Sequence, residues 1–440
     1  MISFRDIAVT LTIVAMLPFC VVRPWFGLLA WAWVAYMNPH RLAWGFAYDL
    51  PAGMMIAVCT IVGYPFARDH KPFLLTRETL LVLILWGWFT LTTLFAMYPE
   101  AAWAKWEETS KTLLMACLSI TLFQDRRKFR LLLLVIAGSI GFYGFKGGLF
   151  SMLTGGNWMI LGPPGTFFEA NTEVALVLNM SLPLTFYLAR EEQRRWLRNI
   201  LRAVFVLTII AVPFTYSRGG VVGLAVVLGV LFIRDRARLM LLPVALAGLV
   251  AFSMFAPQQF FDRIETLRNY EEDASANLRF MTWRMGYEIA KDRPIFGGGF
   301  HVFRFRSTYD IYLPEYPSIA HDAHSIYFNL LGEHGWFGLA LFVALVASTL
   351  MSLEKLRRLG TRDAEFEWAS NYARMLQASL LAWLVTGAFL SVAYFDLGYQ
   401  LFFLTIILKG MVREQTAPSV AEQLPAPVLV GAQPVNPTSS

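Results

Sequence analysis

Apolar stretches recur along the chain from Ile7 to Leu408, and short polar connections punctuate them. A hydrocarbon core about 30 Å thick takes roughly 17 to 25 apolar residues per helix, and helices satisfy their own backbone there. The pattern predicts an all-α polytopic membrane protein of about twelve transmembrane helices, or thirteen if both short runs at the N-terminal end span. Those two runs are Asp6 to Val22 and Trp25 to Asn38, and the Arg23-Pro24 break either separates two helices or kinks one. The run before Arg23-Pro24-Trp25 lacks a small-residue cleavage site and is predicted to be retained. Beyond Arg413 the apolar pattern stops. The predicted division is a transmembrane domain over 1–413 and a disordered cytoplasmic tail over 414–440, rich in Pro, Ala, Val, Gln and Ser.

Composition agrees with this pattern. Of 440 residues, 57% are hydrophobic and 15% charged, with a mean hydropathy of +0.51, too little polar surface for a water-soluble globule. The net charge of +6 does not point to nucleic acid, because the basic residues are dispersed among short loops rather than gathered on one face. They set orientation instead. Clusters at Arg68, Lys71 and Arg77; at Arg126 to Arg130; at Arg190 to Arg202; at Arg234 to Arg238; and at Lys355 to Arg362 read as cytoplasmic. The intervening connections carry few positive charges and read as extracytoplasmic: Tyr98 to Glu108, Thr154 to Asn171, Tyr216 to Gly220, Ala256 to Ala323 and Tyr394 to Gly398. Cys20, Cys59 and Cys117 lie inside apolar runs and are assigned no role.

The large outer loop, about 256–323, is where chemistry is expected, since long connections in compact proteins tend to be functional. Asn277 to Lys291 has a helical pattern, ended by Pro294 and a Gly297-Gly298-Gly299 turn. Arg279 and Trp283 share one face of it, whereas Arg284 points away from Arg279. His324 falls where the loop re-enters an apolar helix, and a neutral histidine there can accept a proton from a hydroxyl. The alternative for His324 is a helix cap. Arg218, in Tyr216-Ser-Arg-Gly-Gly, stands between two apolar runs at the outer interface, where a charge implies a partner, here an anion. Lys146, Asn171, Arg284 and Glu333 are further candidates near outer helix ends, each with capping or interface anchoring as its plainer role. His321 and His324, three apart, with Asp322 or Glu333 match no zinc spacing and three ligands cannot be assembled locally, so no metal is predicted. No outer loop has an Asp-x-Asp pair, and there is no phosphate loop or Gly-x-Ser-x-Gly elbow. What remains is outer-face arginines, which match phosphate oxygens, and one histidine.

Ser217-Arg218-Gly219, Arg279-x-x-x-Trp283 with Pro294 and Gly297-Gly298-Gly299, and His324 with Gly332-Glu333-His334-Gly335 and Gly338 resemble the O-antigen ligase and O-antigen polymerase superfamily. Asn38-Pro39-His40-Arg41 and Trp44-Gly45-Phe46 resemble its exosortase-associated branch of O-glycosylation ligases. Where that family often has Asn after the key histidine, this chain has Ser325. The resemblance implies a GT-C-like, metal- and cofactor-independent glycosyltransferase of the bacterial inner membrane, its site facing the periplasm. It implies an undecaprenyl-diphosphate-linked glycan as donor, with Arg218 and Arg279 on the diphosphate. The acceptor would be a hydroxyl of the lipid A core, oriented or deprotonated by His324, and transfer would invert the anomeric centre. A polymerase or a protein O-oligosaccharyltransferase of the same superfamily is the near alternative. A flippase or solute transporter is the distant one, and it predicts charges facing one another at mid-membrane depth.

Overall fold

The computed structural model describes residues 3–68, 70–234, 274–316 and 320–416, and among them there is no strand. The helices, in chain order, are α1 (Phe4–Val22), α2 (Pro24–Met37), α3 (Ala52–Gly63), α4 (Arg77–Leu94), α5 (Pro99–Leu122), α6 (Arg126–Leu153) and α7 (Asn171–Glu191). They continue with α8 (Arg195–Ala211), α9 (Arg218–Arg234), α10 (Ala274–Asp292), α11 (Arg306–Tyr312), α12 (Ile326–Arg362), α13 (Glu367–Gly387) and α14 (Asp396–Thr416). Helices α1, α6, α7 and α12 are long and apolar enough to cross a membrane on length and composition alone. The protein is an all-helical membrane protein.

The N-terminal break separates two helices: Pro24 occupies the first position of α2, where its missing N–H costs nothing, and α1, α2 and α3 pack on one another. Asp6 closes this unit. Its buried carboxylate accepts the Ser3 N–H in a capping box and the N–H groups of Gly45 and Ala47, at 3.0 and 3.1 Å. That contact explains the Trp44-Gly45-Phe46 segment as a tie back to the chain start.

Helix α7 lies at the centre, with 83% of its most apolar stretch buried against 17% for α1. It packs on α6, α8, α9 and α13. The contacts use small and polar groups, as helix association in lipid requires: Asn179 donates to the Gly220 carbonyl of α9 and Ser379 of α13 to the Met180 carbonyl, both at 2.8 Å.

The helices join two chemically distinct ends. At one end Lys71 meets Glu414 at 2.5 Å, the Arg126 guanidinium lies 3.7 Å over the Trp368 ring, and Arg130 pairs with Glu192 at 2.6 Å. Buried Glu78 sits there too, accepting from Ser348, Ser352 and Lys409. The clusters at Lys71 and at Arg126 to Arg130 thus contribute to this end, joined by Glu192 of the Arg190 to Arg202 segment, whereas Arg234 to Arg238 extends beyond the described residues. The other end gathers the less basic connections. The Met97 N–H bonds the Gly298 carbonyl, the Ile160 N–H that of Phe214, and the Tyr48 hydroxyl that of Pro164. Helix α5, of 24 residues, runs from one end to the other, about 36 Å at 1.5 Å per residue.

The large loop is itself partly helical: α10, a 3-10 turn at Val302–Arg304 and α11 lie within it, while 256–273 and 317–319 fall outside the described residues. Helix α14 runs to Thr416, three residues past the expected boundary, and 417–440 also lie outside.

Candidate functional site

The Arg-x-x-x-Trp spacing on α10 acts through the tryptophan. Trp283 donates its indole N–H to the Ala323 carbonyl at 2.9 Å and stacks on Phe328, ring centroids 5.1 Å apart and 8° from parallel. This pins α10 to the segment that enters α12. Arg279, one turn before Trp283, is thereby brought close enough to His324 to act on it electrostatically.

His324 itself adopts a left-handed backbone conformation, φ 46°, one residue before the cap of α12. Such a conformation is uncommon for a residue with a side chain, and it is held by a hydrogen bond from the His324 N–H to Ser391 Oγ at 2.8 Å. The ring is half-buried. Burial first, and the neighbouring Arg279 second, hold its pKa below the ordinary histidine value, so the neutral imidazole prevails at pH 7.

Two cavities are lined by residues around the connection between α13 and α14. The smaller, of about 160 Å³, is lined by Asn171, Thr172, Ser217, Arg218 and Arg279, with Phe389 and Leu390 on one wall. Asn171 and Arg218 are the first residues of α7 and α9, so the N-terminal ends of two helices open on it. Asn171 also donates to the Thr215 carbonyl at 2.8 Å, fixing one helix start to the turn before the other. The larger cavity, of about 820 Å³, is lined by the next residues of the same connection. Ser391 and Val392 belong to its wall, and His324 lines it. Lys105, Glu108, Glu173, His301, Asp322 and Asp396 bring charge and hydrogen-bonding groups to its surface. Burial, then Arg304 and Lys105, push the His301 pKa down to about 4, so this histidine is neutral as well.

The structure does not bring three sequence candidates into either cavity. Lys146 is exposed on α6. Arg284 pairs with Glu315 at 3.2 Å on the surface, away from Arg279. Glu333 is 1% exposed, and its carboxylate accepts the His301 N–H at 2.7 Å and the Tyr394 hydroxyl. Glu333 therefore anchors two residues of the large cavity's wall from behind. His334 joins it there, its ring nitrogens 2.7 Å from Thr92 Oγ1 and from the Tyr394 hydroxyl. No group of three potential metal-ligating residues occurs among the described residues.

Both glycine motifs serve this assembly. The N–H groups of Gly298 and Gly299 bond the carbonyls of Gly332 and Glu333 at 2.8 and 2.9 Å, and the Trp336 N–H bonds the Pro294 carbonyl at 3.0 Å. Gly297 and Gly335 have φ of 64° and 69°. A Cβ on Gly335 would stand 2.4 Å from the Ile295 carbonyl oxygen, so only glycine fits.

Sequence reasoning missed the large cavity's charged residues. A signal was present in Lys105, Glu108 and Thr112, which recur at helical spacing on one face of α5.

Comparison with known families matches residues 4–193 to a family of unknown function (DUF5935) and residues 203–343 to the O-antigen ligase family. Comparison with curated proteins yields no match. Arg218, Arg279 and His324 all fall within the second region, whereas Lys105, Glu108 and Glu173 fall within the first. Over residues 203–343 this membrane protein carries a domain of the O-antigen ligase superfamily.

Proposed function

We propose that the protein transfers a glycan from undecaprenyl diphosphate to a hydroxyl of the lipid A core oligosaccharide, at the periplasmic face of the bacterial inner membrane. The donor's diphosphate occupies the small cavity, bound by Arg218 and Arg279, with Asn171 at its edge. Two guanidinium groups and two helix N-termini supply the positive field that a departing diphosphate needs, without a metal ion. His324 faces the acceptor across the partition and takes the hydroxyl proton as the oxygen attacks the anomeric carbon. The glycosidic bond to the phosphate breaks as the new one forms, with inversion. The orientation follows from the positive-inside rule: the basic end is cytoplasmic, so the cavities face outward, in a bundle of about twelve or thirteen spans.

The observation that carries this reading is the convergence of Arg218, Arg279 and His324, from three separate segments, around the wall formed by Phe389 to Val392. The test uses membranes containing the protein, an undecaprenyl-diphosphate-linked glycan and purified rough lipopolysaccharide. Transfer to the lipopolysaccharide is expected, persisting in EDTA. His324→Ala should lower it by about 10²- to 10⁴-fold, and Arg218→Ala or Arg279→Ala by about 10²- to 10³-fold. Growth of the glycan on its carrier with no transfer to lipopolysaccharide would instead make the protein a polymerase.

A further inference from the structure

The two cavities differ in the sign of their charge. The small one presents two arginines and no acidic residue. The large one presents Lys105 and Arg304 against four carboxyl groups, those of Glu108, Glu173, Asp322 and Asp396. Both cations are engaged inside the cavity: Lys105 with Glu108 at 2.8 Å and Arg304 with Asp322 at 3.2 Å. Among the described residues Glu173 and Asp396 have no cation within ion-pair distance, and the Glu173 carboxylate accepts a hydrogen bond from the Thr172 hydroxyl at 2.7 Å. Each of the two stands in the first turn of a helix, α7 or α14, where a carboxylate is favoured. Burial still raises the Asp396 pKa to about 6, opposed by Lys105 and a hydrogen bond with Thr112, so Asp396 is largely ionised only above that pH. His301, His321 and His324 add hydrogen-bonding groups along the same surface.

We infer that the large cavity is an acceptor chamber that selects an uncharged or amine-bearing sugar and turns away anionic ones. This inference rests on the transfer reaction proposed above. Carboxyl oxygens accept from sugar O–H or N–H groups, and the two ion pairs present further donors and acceptors, so a polyhydroxylated ring finds partners on several sides. A phosphate or carboxylate on that ring would face Glu173 and Asp396 in a partly enclosed site, where like charges are costly. The same arrangement keeps the donor's diphosphate on the arginine side of the partition, so each substrate has one place to bind. Lys105, Glu108 and Glu173 lie within residues 4–193, the region matched to a family of unknown function. That region accordingly supplies much of the acceptor-selecting wall.

The probes are three soluble acceptor analogues of one size: p-nitrophenyl β-glucoside, β-glucosaminide and β-glucuronide. Their binding to the full-length protein in nanodiscs is measured by saturation-transfer NMR titration, which requires no turnover. The glucoside and glucosaminide should bind, and the glucuronide roughly tenfold or more weakly. Glu173→Gln and Asp396→Asn, singly and together, should narrow that discrimination to about twofold, mainly by improving glucuronide binding, a change that general loss of structure does not produce. Equal or tighter binding of the glucuronide, no binding of any probe, or discrimination unchanged in both variants would overturn the chamber. The lipopolysaccharide transfer assay judges the reaction separately: active transfer with an unselective chamber sinks only this inference, and charge-selective binding without transfer sinks only the reaction.

Discussion

His324 combines three constraints: a left-handed backbone, a hydrogen bond from its N–H to Ser391, and a pKa lowered by burial and then by Arg279. As the base it must be neutral, so activity should hold at pH values where an ordinary histidine, near 6.5, would already be protonated, and fall only as pH drops through its lowered pKa. Arg279→Ala removes the second cause and should move that acid limb upward, toward the ordinary value, whatever its effect on maximal rate. Rate profiles of the wild type and the variant, at saturating donor, would show it; an unmoved limb would contradict electrostatic coupling of the two. Arg218 and His324 stood out in the sequence because a charge at an apolar interface and a histidine at a helix entry are both expensive without a use, and the structure places each near Arg279. Glu333 was not legible in the same way. Its position near a helix end suggested substrate contact or capping, but a side chain's direction depends on the helix it packs against, and Glu333 turns inward to Tyr394 and the His301 N–H.

Among the elements, α10 and α12 set the site, and they are joined by the Trp283 side chain at one point and by backbone at another. The turn at Gly297 to Gly299 docks on the bend at Gly335, where α12 departs from helical geometry. Gly335→Ala should lose about 2 kcal/mol or more, since the new methyl meets both a positive φ and the Ile295 carbonyl. Gly229→Ala, in α9 with open space where its Cβ would go, is the matched control and should be neutral or slightly stabilising. Thermal unfolding midpoints in detergent, read beside transfer activity, distinguish the two; equal midpoints would mean the docking carries little. The helical span expected over Asn277 to Lys291 agrees with α10, Ala274–Asp292, because its periodicity and the following Pro294 are local signals. The role of the glycine turn was not local. Nothing near Gly297 in the sequence indicates that its partner lies at Gly332 to Gly335.

At the scale of the whole molecule, loop charge reports architecture well. The clusters at Lys71 and at Arg126 to Arg130 were grouped from sequence on sign alone, and they converge through Glu414, Trp368 and Glu192 on one end of the bundle. Orientation can be checked directly. Glu100→Cys should react with a membrane-impermeant maleimide on intact cells and Arg362→Cys only after permeabilisation, the native cysteines lying in apolar helices; the reverse pattern would invert the topology. The large chamber stayed hidden in the sequence because its charges come from α5, α7, the 301–304 turn, the approach to α12 and the start of α14. Only assembly of the bundle places them together.

The wall from Phe389 to Val392 also bears on how proteins of this kind diversify. If it divides donor from acceptor, Lys105, Glu108 and Glu173 can change on one side of it while Arg218 and Arg279 remain untouched on the other. A lineage could then adopt a new recipient sugar by point changes in α5 and at the start of α7, whereas chimaeras joined between residues 193 and 203 would carry over only part of the acceptor preference, because Asp322 and Asp396 come from the C-terminal parent.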